Sequence, residues 1–394
     1  MAVPYASPFY SFWMAGYECA DHQNKFGERV DLLTASGHLQ LLAEDYHRLK
    51  PFQIHTVREG IRWSQVERAP YQYDWSTVAE MMRAGANSGM QQIWDICHFG
   101  FPDDITPLHP HFPKRFAALC RAFVRFYRSI DRESILIVTP INEVSFLSWL
   151  GGDACGTAPY CVRQGWEVKY HLMRAYIQAV IAMREEDPDI RILTTEPLVH
   201  VIPPADATYE QRLAAERLRE DQFQAIDMLC GRICPELGGS PDYADMLGFN
   251  FYHNNQWCID APGSLAWCNT SRHPEWRGLS DLLKAAYIRY DKPMVLTETS
   301  HSGEDRPHWI EYIAAECASV IEAGIPLWGI CLYPIIDRPD WDFPNCWHHS
   351  GLWDEPDIPG STPARTLCKP YASAIHAAQI VINHALERTN SLLV

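Results

Sequence analysis

The sequence predicts a single (β/α)8 barrel, and three observations support this prediction. Eight short apolar runs with strand-like composition are spread along the chain, and a helical pattern follows each of them. No GxGxxG phosphate-binding fingerprint follows the first run, which disfavours a doubly wound open sheet. No repeat, low-complexity linker or composition break divides the 394 residues, a length that barrels with insertions reach. We therefore expect residues 1–394 to form one barrel domain with extended loops.

The first half of the chain supplies four of the expected strands. Alternation or continuous apolarity predicts them at Phe12–Glu18, His55–Trp63, Gln92–Cys97 and Ile135–Pro140. Amphipathic spacing predicts intervening helices around Leu39–Leu49, Ala79–Met90, Phe116–Tyr127 and Glu167–Glu185.

The second half repeats the alternation. Strands are expected at Ile190–Thr195, Asp245–Tyr252, Pro293–Glu298 and Leu327–Tyr333, and helices at Asp221–Cys234, Leu279–Tyr290, Trp309–Ala323 and Tyr371–Leu386. The charged run EQRLAAERLRE at 210–220 reads as a solvated helix face rather than a binding patch.

Charge and hydropathy limit the classes of partner. A formal net charge of −16 argues against nucleic acid and anionic membrane, because such binding depends on clustered Lys and Arg. No run of about 18 apolar residues appears, and the amino terminus lacks the pattern of a signal peptide. We expect a cytoplasmic protein that binds a small molecule, and the sequence leaves its oligomeric state open.

Cysteine and histidine spacing gives no sign of a metal site. The 13 Cys include no CxxC pair and are odd in number, which favours reduced thiols. The His109/His111 and His348/His349 clusters lack a ligand set at recognisable spacing. We expect neither a metal nor an organic cofactor.

Polar residues gather where the predicted strands end, and in a barrel these ends meet on one face. The strand-end residues are Glu18, Gln23, Arg58, His98, Asn142, Glu143, Glu196, Asn250, Tyr252 and Glu298. Two carboxylates from the fourth and seventh strands, Glu143 and Glu298, suit glycoside cleavage, in which one donates a proton and the other attacks the anomeric carbon. Retention of configuration requires them to lie about 5–5.5 Å apart.

Arg58 is the candidate counter-ion for the carboxylate that must stay ionised. Either Glu alone would be explained more simply as one member of a structural ion pair with Arg or Lys. Both together with Asn142, Arg58 and Tyr252 favour a site.

Five blocks of the sequence resemble glycoside hydrolase family 1, the retaining β-glucosidases. TPINE at 139–143 resembles the acid/base signature and LTETS at 296–300 the nucleophile signature. VREGIRWSQVE at 57–67, WDICHFGFP at 94–102 and DMLGFNFYHN at 245–254 are similar to the blocks of strands two, three and six, in the same order.

The resemblance implies roles for individual residues. Glu143 would be the general acid/base and Glu298 the nucleophile, supported by Arg58 and Tyr252. The remaining residues implied for the sugar site are Gln23, His98, Asn142, Asn250 and Trp328. Among them, Gln23, His98 and Asn142 would hold hydroxyls, and the Trp328 indole would stack on the sugar ring.

The sequence also departs from the family pattern. Val144 stands where a proline normally follows Asn-Glu, and Thr299 and Ser300 replace the Asn-Gly after the nucleophile. The strand-eight block with its Glu-Trp pair is replaced by GICLYPIIDRPDWDFPNCWHH at 329–349. Its polar and aromatic candidates for gripping the sugar are Asp337, Asp340, Trp341 and Asp342. The identity of the sugar is therefore left open.

Three functional hypotheses follow. The first is a retaining β-glycosidase that uses two glutamates and no cofactor, including one that transfers the sugar to an acceptor other than water. The second is a non-catalytic carbohydrate-binding protein on the same barrel. A metal-dependent barrel hydrolase ranks last, because the strand ends offer no His-x-His ligand pattern.

Overall fold

A ring of parallel strands forms the centre of the protein. The structure is a computed structural model that describes residues 7–268, 271–355 and 364–392. The ring contains nine strand segments, all paired in parallel: Trp13–Gly16, Thr56–Gly60, Gln91–Cys97, Ile137–Ile141, Arg191–Ile192, Glu196–Pro197, Leu247–Asn250, Met294–Thr299 and Leu327–Leu332.

The nine segments make eight barrel strands, because the fifth strand is interrupted. Arg191–Ile192 pairs with the fourth strand and Glu196–Pro197 pairs with the sixth, while Leu193 bridges to Met246 between them. The first strand pairs with the eighth, Trp13 opposite Ile330, so the sheet closes on itself. The predicted (β/α)8 barrel is confirmed.

Helices surround the ring and alternate with its strands. The longer helices are Leu42–Leu49, Ser76–Ser88, Phe112–Ile130, Gly165–Glu186, Tyr209–Asp221, Leu279–Tyr290, Arg306–Glu322 and Lys369–Leu392. Shorter helices are Leu32–Ala35, Trp63–Val66, Val144–Gly152 and Gln224–Leu229, and single 3-10 turns lie at His38–Gln40, Lys50–Phe52, Pro235–Leu237, Pro241–Tyr243 and Gly303–Asp305.

Three small strand pairs lie outside the ring. Glu67–Ala69 pairs with Gln72–Tyr73, His200–Ile202 with Gln256–Cys258, and Trp353–Asp354 with Thr366–Leu367.

Two apolar cores stabilise the ring and pack the helices against it. Inward-facing side chains from almost every strand fill the ring itself: Met14, Ile93, Ile137, Leu193, Met246, Val295, Cys331 and Tyr333. A larger core lies between the ring and the helices. Side chains alternate between the two faces of a strand, so most strands contribute to both cores. The filled interior leaves the carboxyl-terminal rim of the ring as the place for a site.

The main differences from the predicted elements are local. The helix expected over Asp221–Cys234 begins at Gln224 and ends at Leu229, because Gly231 adopts a left-handed φ of 72° that closes the turn. The run 210–220 is helical and largely exposed, as expected. In the part of the chain that the structure describes, every helix is too short or too polar to span a bilayer. The cytoplasmic location stays a prediction.

Candidate active site

Glu143 lies directly after the fourth strand and begins the helix Val144–Gly152. Its backbone is left-handed, with φ 45° and ψ 60°, a conformation that costs free energy for a residue other than glycine. Neighbouring strands hold this turn, because Asn142 N donates to Cys97 O at 2.9 Å and Glu143 N donates to Thr195 O at 2.8 Å. The turn therefore places the Glu143 side chain at the rim of the ring.

Arg58 connects four strands beneath the site. Arg58 is the central residue of the second strand, and its guanidinium is buried. Nη1 donates to Thr297 O at 2.7 Å and Glu298 Oε1 at 3.1 Å, and Nη2 donates to Asp95 Oδ2 at 2.7 Å and Asn142 Oδ1 at 3.2 Å. An arginine guanidinium is planar and carries five N–H donors, so it can bond several partners at once. Each of these bonds fixes the orientation of the group toward its other partners.

Glu298 is buried at the end of the seventh strand and has two charge-stabilising partners. Arg58 contacts Oε1, and the Tyr252 hydroxyl donates to Oε2 at 2.7 Å. A register shift between Phe249 and Asn250 brings the end of the sixth strand level with Glu298. Both oxygens of the Glu298 carboxyl are therefore oriented by donors.

The two glutamates differ in proton affinity. Burial raises the pKa of Glu143 well above its usual range, and the nearby Glu298 carboxylate raises it further. Burial also raises the pKa of Glu298, but Arg58, His98 and the Tyr252 hydroxyl oppose that rise. Two adjacent carboxyls do not readily ionise together, so one proton is shared by the pair and is held mainly by Glu143.

Asn142 and His98 lie beside Arg58. Asn142 is fully buried, and its Nδ2 is 3.4 Å from His98 Nε2. His98 Nδ1 is 2.9 Å from Asp95 Oδ2. Burial alone lowers the pKa of His98, but Asp95 and Glu18 outweigh it and leave the pKa raised.

Asn250 lies between the two glutamates at the end of the sixth strand. Its Oδ1 accepts a hydrogen bond of 2.7 Å from the Thr297 hydroxyl. That bond directs Nδ2 away from Thr297, and the amide is close enough to Glu143 to lower the pKa of that carboxyl in part. The predicted residues Arg58, His98, Asn142, Glu143, Asn250, Tyr252 and Glu298 are thus brought together.

Three further side chains belong to the site, of which Glu18 was among the predicted strand-end residues and Asp95 and Tyr333 were not. Asp95 holds Arg58 and His98, and Glu18 lies 3.5 Å from His98 Nε2. Tyr333, immediately after the eighth strand, donates to Glu18 Oε1 at 3.3 Å, and its hydroxyl is 3.2 Å from His98 Nε2. A charge inside the apolar strand run QQIWDIC was the signal for Asp95. Tyr333 ends the run LWGICLY at the same rim.

Two of the predicted sugar contacts are not linked to the other site residues. Gln23 lies in the loop after the first strand, where its Nε2 donates to Asp103 Oδ1 at 2.9 Å. Trp328 is the second residue of the eighth strand, so it lies near the amino-terminal end of the ring. There it packs with Phe9 against the barrel interior. An indole at that end cannot reach a sugar held at the carboxyl-terminal rim.

The loop after the eighth strand covers one side of the rim. The Trp341 ring packs near Phe99 and Phe146, with centroid distances of 5.2 and 6.2 Å. Asp340 holds His348 at 3.0 Å, and Asp342 holds Lys25 at 3.0 Å. Of the four candidates in this loop, Trp341 therefore adjoins the strand-three and strand-four segments of the site. Asp340 and Asp342 bind other side chains, and Asp337 accepts from Ser350 N at 3.1 Å.

Among the residues that the structure describes, two groups of three side chains bring possible metal ligands close together. Cys19, Asp95 and His98 lie inside the site, but Arg58 contacts the same Asp95 carboxylate and its positive charge opposes a cation. Asp337, His349 and Asp354 form the second group, in which Arg306 already binds both oxygens of Asp354. Neither donor set fits a divalent ion well.

A groove of about 660 Å³ on the outer face of the barrel is separate from this site. It lies between the helices Phe112–Ile130 and Gly165–Glu186, and its lining includes Tyr71 and Tyr73. It contains none of the strand-end side chains.

Comparison with known proteins gives matches among solved structures alone. No family model matches the sequence, and no curated protein matches it. A family 1 β-glucosidase from Thermotoga maritima superposes with a TM-score of 0.71 at 15% identity, over 96% of this chain and 98% of the other. A β-glucosidase from Exiguobacterium marinum gives 0.72 at 14% identity, over 96% and 100%. An enzyme named AHE from Alicyclobacillus herbarius gives 0.72 at 16%, over 95% and 99%.

These similarities cover nearly the whole of each chain, while the identities are too low to carry a function. Similarity of this kind shows architecture and leaves the chemistry to be argued from the site. The chain has the fold of the family 1 β-glucosidases, and the resemblance found in the five sequence blocks is confirmed at the level of the fold.

Proposed function

We propose that the protein is a retaining β-glycosidase in which Glu298 is the nucleophile and Glu143 the general acid/base. The observation that carries the proposal is the difference between the surroundings of Glu298 and those of Glu143. Arg58 and Tyr252 orient and stabilise the Glu298 carboxylate, while burial and the charge of Glu298 favour the protonated form of Glu143. We also propose that the whole chain acts as one catalytic domain on a small glycoside or oligosaccharide.

The reaction would proceed in two displacements. Glu298 attacks the anomeric carbon as Glu143 gives its proton to the departing glycosidic oxygen, and a glycosyl ester forms on Glu298. Glu143, now ionised, takes a proton from an entering water, whose oxygen attacks the same carbon and releases Glu298. Asn142 and His98 would hold hydroxyls of the sugar, and the contact with the 2-hydroxyl would strengthen in the transition state.

The comparisons support the class of ligand. Structures of the Thermotoga maritima β-glucosidase are described in complex with glucoimidazole and with isofagomine lactam. These ligands have the size of a single sugar ring. They are therefore suitable probes for this site.

The test is turnover of a panel of nitrophenyl β-glycosides by the wild type, Glu298→Ala and Glu143→Gln. We expect both variants to lose at least about 1,000-fold in kcat, because each removes a group that acts in the transition state. Azide should partly restore Glu298→Ala and give a glycosyl azide of inverted configuration. Wild-type rates in either variant would refute the assignment.

Two further outcomes are distinguished by the same proteins. Binding of isofagomine lactam with no turnover of any glycoside would favour the non-catalytic carbohydrate-binding protein. Products that carry an added alcohol or sugar would identify transfer to an acceptor other than water, and these are found by mass analysis of the reaction mixture.

A further inference from the structure

Glu18 is a buried carboxylate in the candidate site that the two-step reaction does not use. It lies two residues beyond the first strand and is 6% exposed, so its charge is largely removed from solvent. A buried carboxylate is retained at low cost only where donors surround it. The groups that donate hydrogen bonds to Glu18 therefore indicate its role.

The contacts of Glu18 connect it to the residues around Glu298. Oε1 accepts from Ala20 N at 3.2 Å and from the Tyr333 hydroxyl at 3.3 Å, and it lies 3.5 Å from His98 Nε2. The negative charge of Glu18 is also close enough to act on the carboxyl of Glu298 and the hydroxyl of Tyr252. Glu18 therefore faces the same space as the nucleophile.

Arg338 supplies the opposing charge from the loop after the eighth strand. Its Nε lies 3.3 Å from Glu18 Oε2, and its side chain is 21% exposed. Its Nη1 donates to the carbonyl of the adjacent Pro339 at 3.2 Å. Arg338 thus reaches solvent at the mouth of the site and neutralises Glu18 from that side.

We propose that Glu18 and Arg338 are the specificity-determining pair of the site, and that they select a neutral pyranoside over one that carries a carboxylate or phosphate. Glu18 accepts hydrogen bonds from sugar hydroxyls, whereas the Gln23 amide donates to Asp103. Glu18 also repels an anionic substituent, and Arg338 cannot bind one without leaving Glu18 unpaired. This inference rests on the proposed glycosidase function.

The experiment compares a neutral substrate with its anionic counterpart. For the wild type, Glu18→Gln and Arg338→Gln, kcat/KM is measured on nitrophenyl β-glucoside and nitrophenyl β-glucuronide, or on the galactoside pair if that is turned over faster. The two substitutions change the local charge in opposite directions. Any general loss of activity cancels in the ratio of the two substrates.

We expect Glu18→Gln to lower kcat/KM on the neutral substrate by about 10- to 100-fold, in line with the loss of hydrogen bonds to a charged group. The same variant should narrow the preference for the neutral substrate by at least about 10-fold, because Arg338 is released. Arg338→Gln should widen that preference. A Glu18→Gln variant within about twofold of the wild type on the neutral substrate, or ratios unchanged in both variants, would overturn the proposal.

A matched control and a second readout make the result specific. Glu67→Gln removes another buried carboxylate, bonded to Arg115 at 3.0 Å outside the ring, and should leave the substrate ratio unchanged in folded protein. Calorimetry with isofagomine lactam, a neutral probe, should show binding at least about 10-fold weaker in Glu18→Gln. Absence of turnover in the wild type would refute the glycosidase function, whereas equal lactam binding by both proteins would refute the role of Glu18.

Discussion

The chemical difference between Glu143 and Glu298 arises from their neighbours. Arg58 contacts Glu298 at 3.1 Å, whereas the surroundings of Glu143 include two other carboxyls, Glu298 and Glu196. A cation favours the ionised form of the first residue, and like charges favour the protonated form of the second. The assignment of nucleophile and acid follows from this difference rather than from position in the chain.

Replacement of Tyr252 by Phe tests the stabilisation of Glu298. The variant loses the 2.7 Å hydrogen bond to Oε2, which favours the carboxylate and lowers its pKa. Without it the pKa of Glu298 rises further, so the acidic limb of the kcat/KM profile should move to higher pH. We expect kcat/KM to fall about 10- to 100-fold at the optimum. An unshifted acidic limb would contradict the role of Tyr252.

Replacement of Glu196 by Gln tests the proton affinity of Glu143. Glu196 is buried, with its pKa raised to about 7, and its charge contributes to the raised pKa of Glu143. Above pH 7 the wild-type Glu196 is ionised, and the amide removes that charge. The pKa of Glu143 should therefore fall, and the alkaline limb of kcat/KM should move to lower pH.

Glu236→Gln is a suitable comparison for this variant. Glu236 is exposed outside the ring, where it accepts from the Tyr170 hydroxyl at 3.1 Å. Its substitution should leave the pH profile unchanged. An alkaline limb that stays in place in Glu196→Gln, or moves upward, would show that Glu196 does not act on Glu143.

Residues at strand ends were predictable, whereas residues in loops were not. A strand fixes which residue reaches the rim, and Glu298 and Asn250 are positioned in that way. Gln23 lies seven residues beyond the first strand, and the loop turns it toward Asp103. Tertiary contacts of a loop leave no periodic trace in the sequence.

At the scale of the elements, apolar runs in the sequence predicted where each barrel strand lies. They did not show whether a strand is continuous or interrupted. The fifth strand is divided between Arg191–Ile192 and Glu196–Pro197 because Leu193 and Thr194 switch partners from the fourth strand to the sixth. The position of Trp328 also could not be read from the apolar run. Alternation shows that its side chain faces into the ring, but only strand length and direction show at which end it lies.

Gly16, the last residue of the first strand, cannot be enlarged because the ring of Tyr333 packs against it. A Cβ at Gly16 would lie 2.1 Å from Cδ2 of Tyr333, whose ring occupies that space. We expect Gly16→Ala to lower the free energy of unfolding by about 1–3 kcal/mol, measured by urea denaturation. The cost should be smaller in a Tyr333→Leu background. Equal costs in both backgrounds would show that the ring is not the obstacle.

At the scale of the whole molecule, a buried ionic cluster attaches the carboxyl-terminal segment to the start of the chain. The side chain of Arg365 is buried and donates to Asp45 Oδ1 at 2.9 Å and Oδ2 at 2.8 Å, and it pairs with Glu355. Asp45 also holds His38 at 2.9 Å. The cluster thus connects residues on either side of the barrel closure, and nothing in local sequence patterning pointed to it.

Replacement of Arg365 by Met should destabilise the protein by about 3–5 kcal/mol at pH 7, because Asp45 and Glu355 would remain buried without their cation. The contacts of Asp45 with His38 and Arg365 outweigh its burial and leave its pKa lowered, so its contribution is present near neutral pH and is lost as pH falls through that lowered value. The difference between wild type and variant should therefore shrink in acid. Urea denaturation at pH 7 and at about pH 3, below the ordinary Asp pKa of about 3.9, measures both effects. Arg388→Met removes an exposed ion pair with Glu322 and should lower the free energy of unfolding by at most about 1 kcal/mol. Similar losses of stability in the two variants would show that the buried cluster does not anchor this segment.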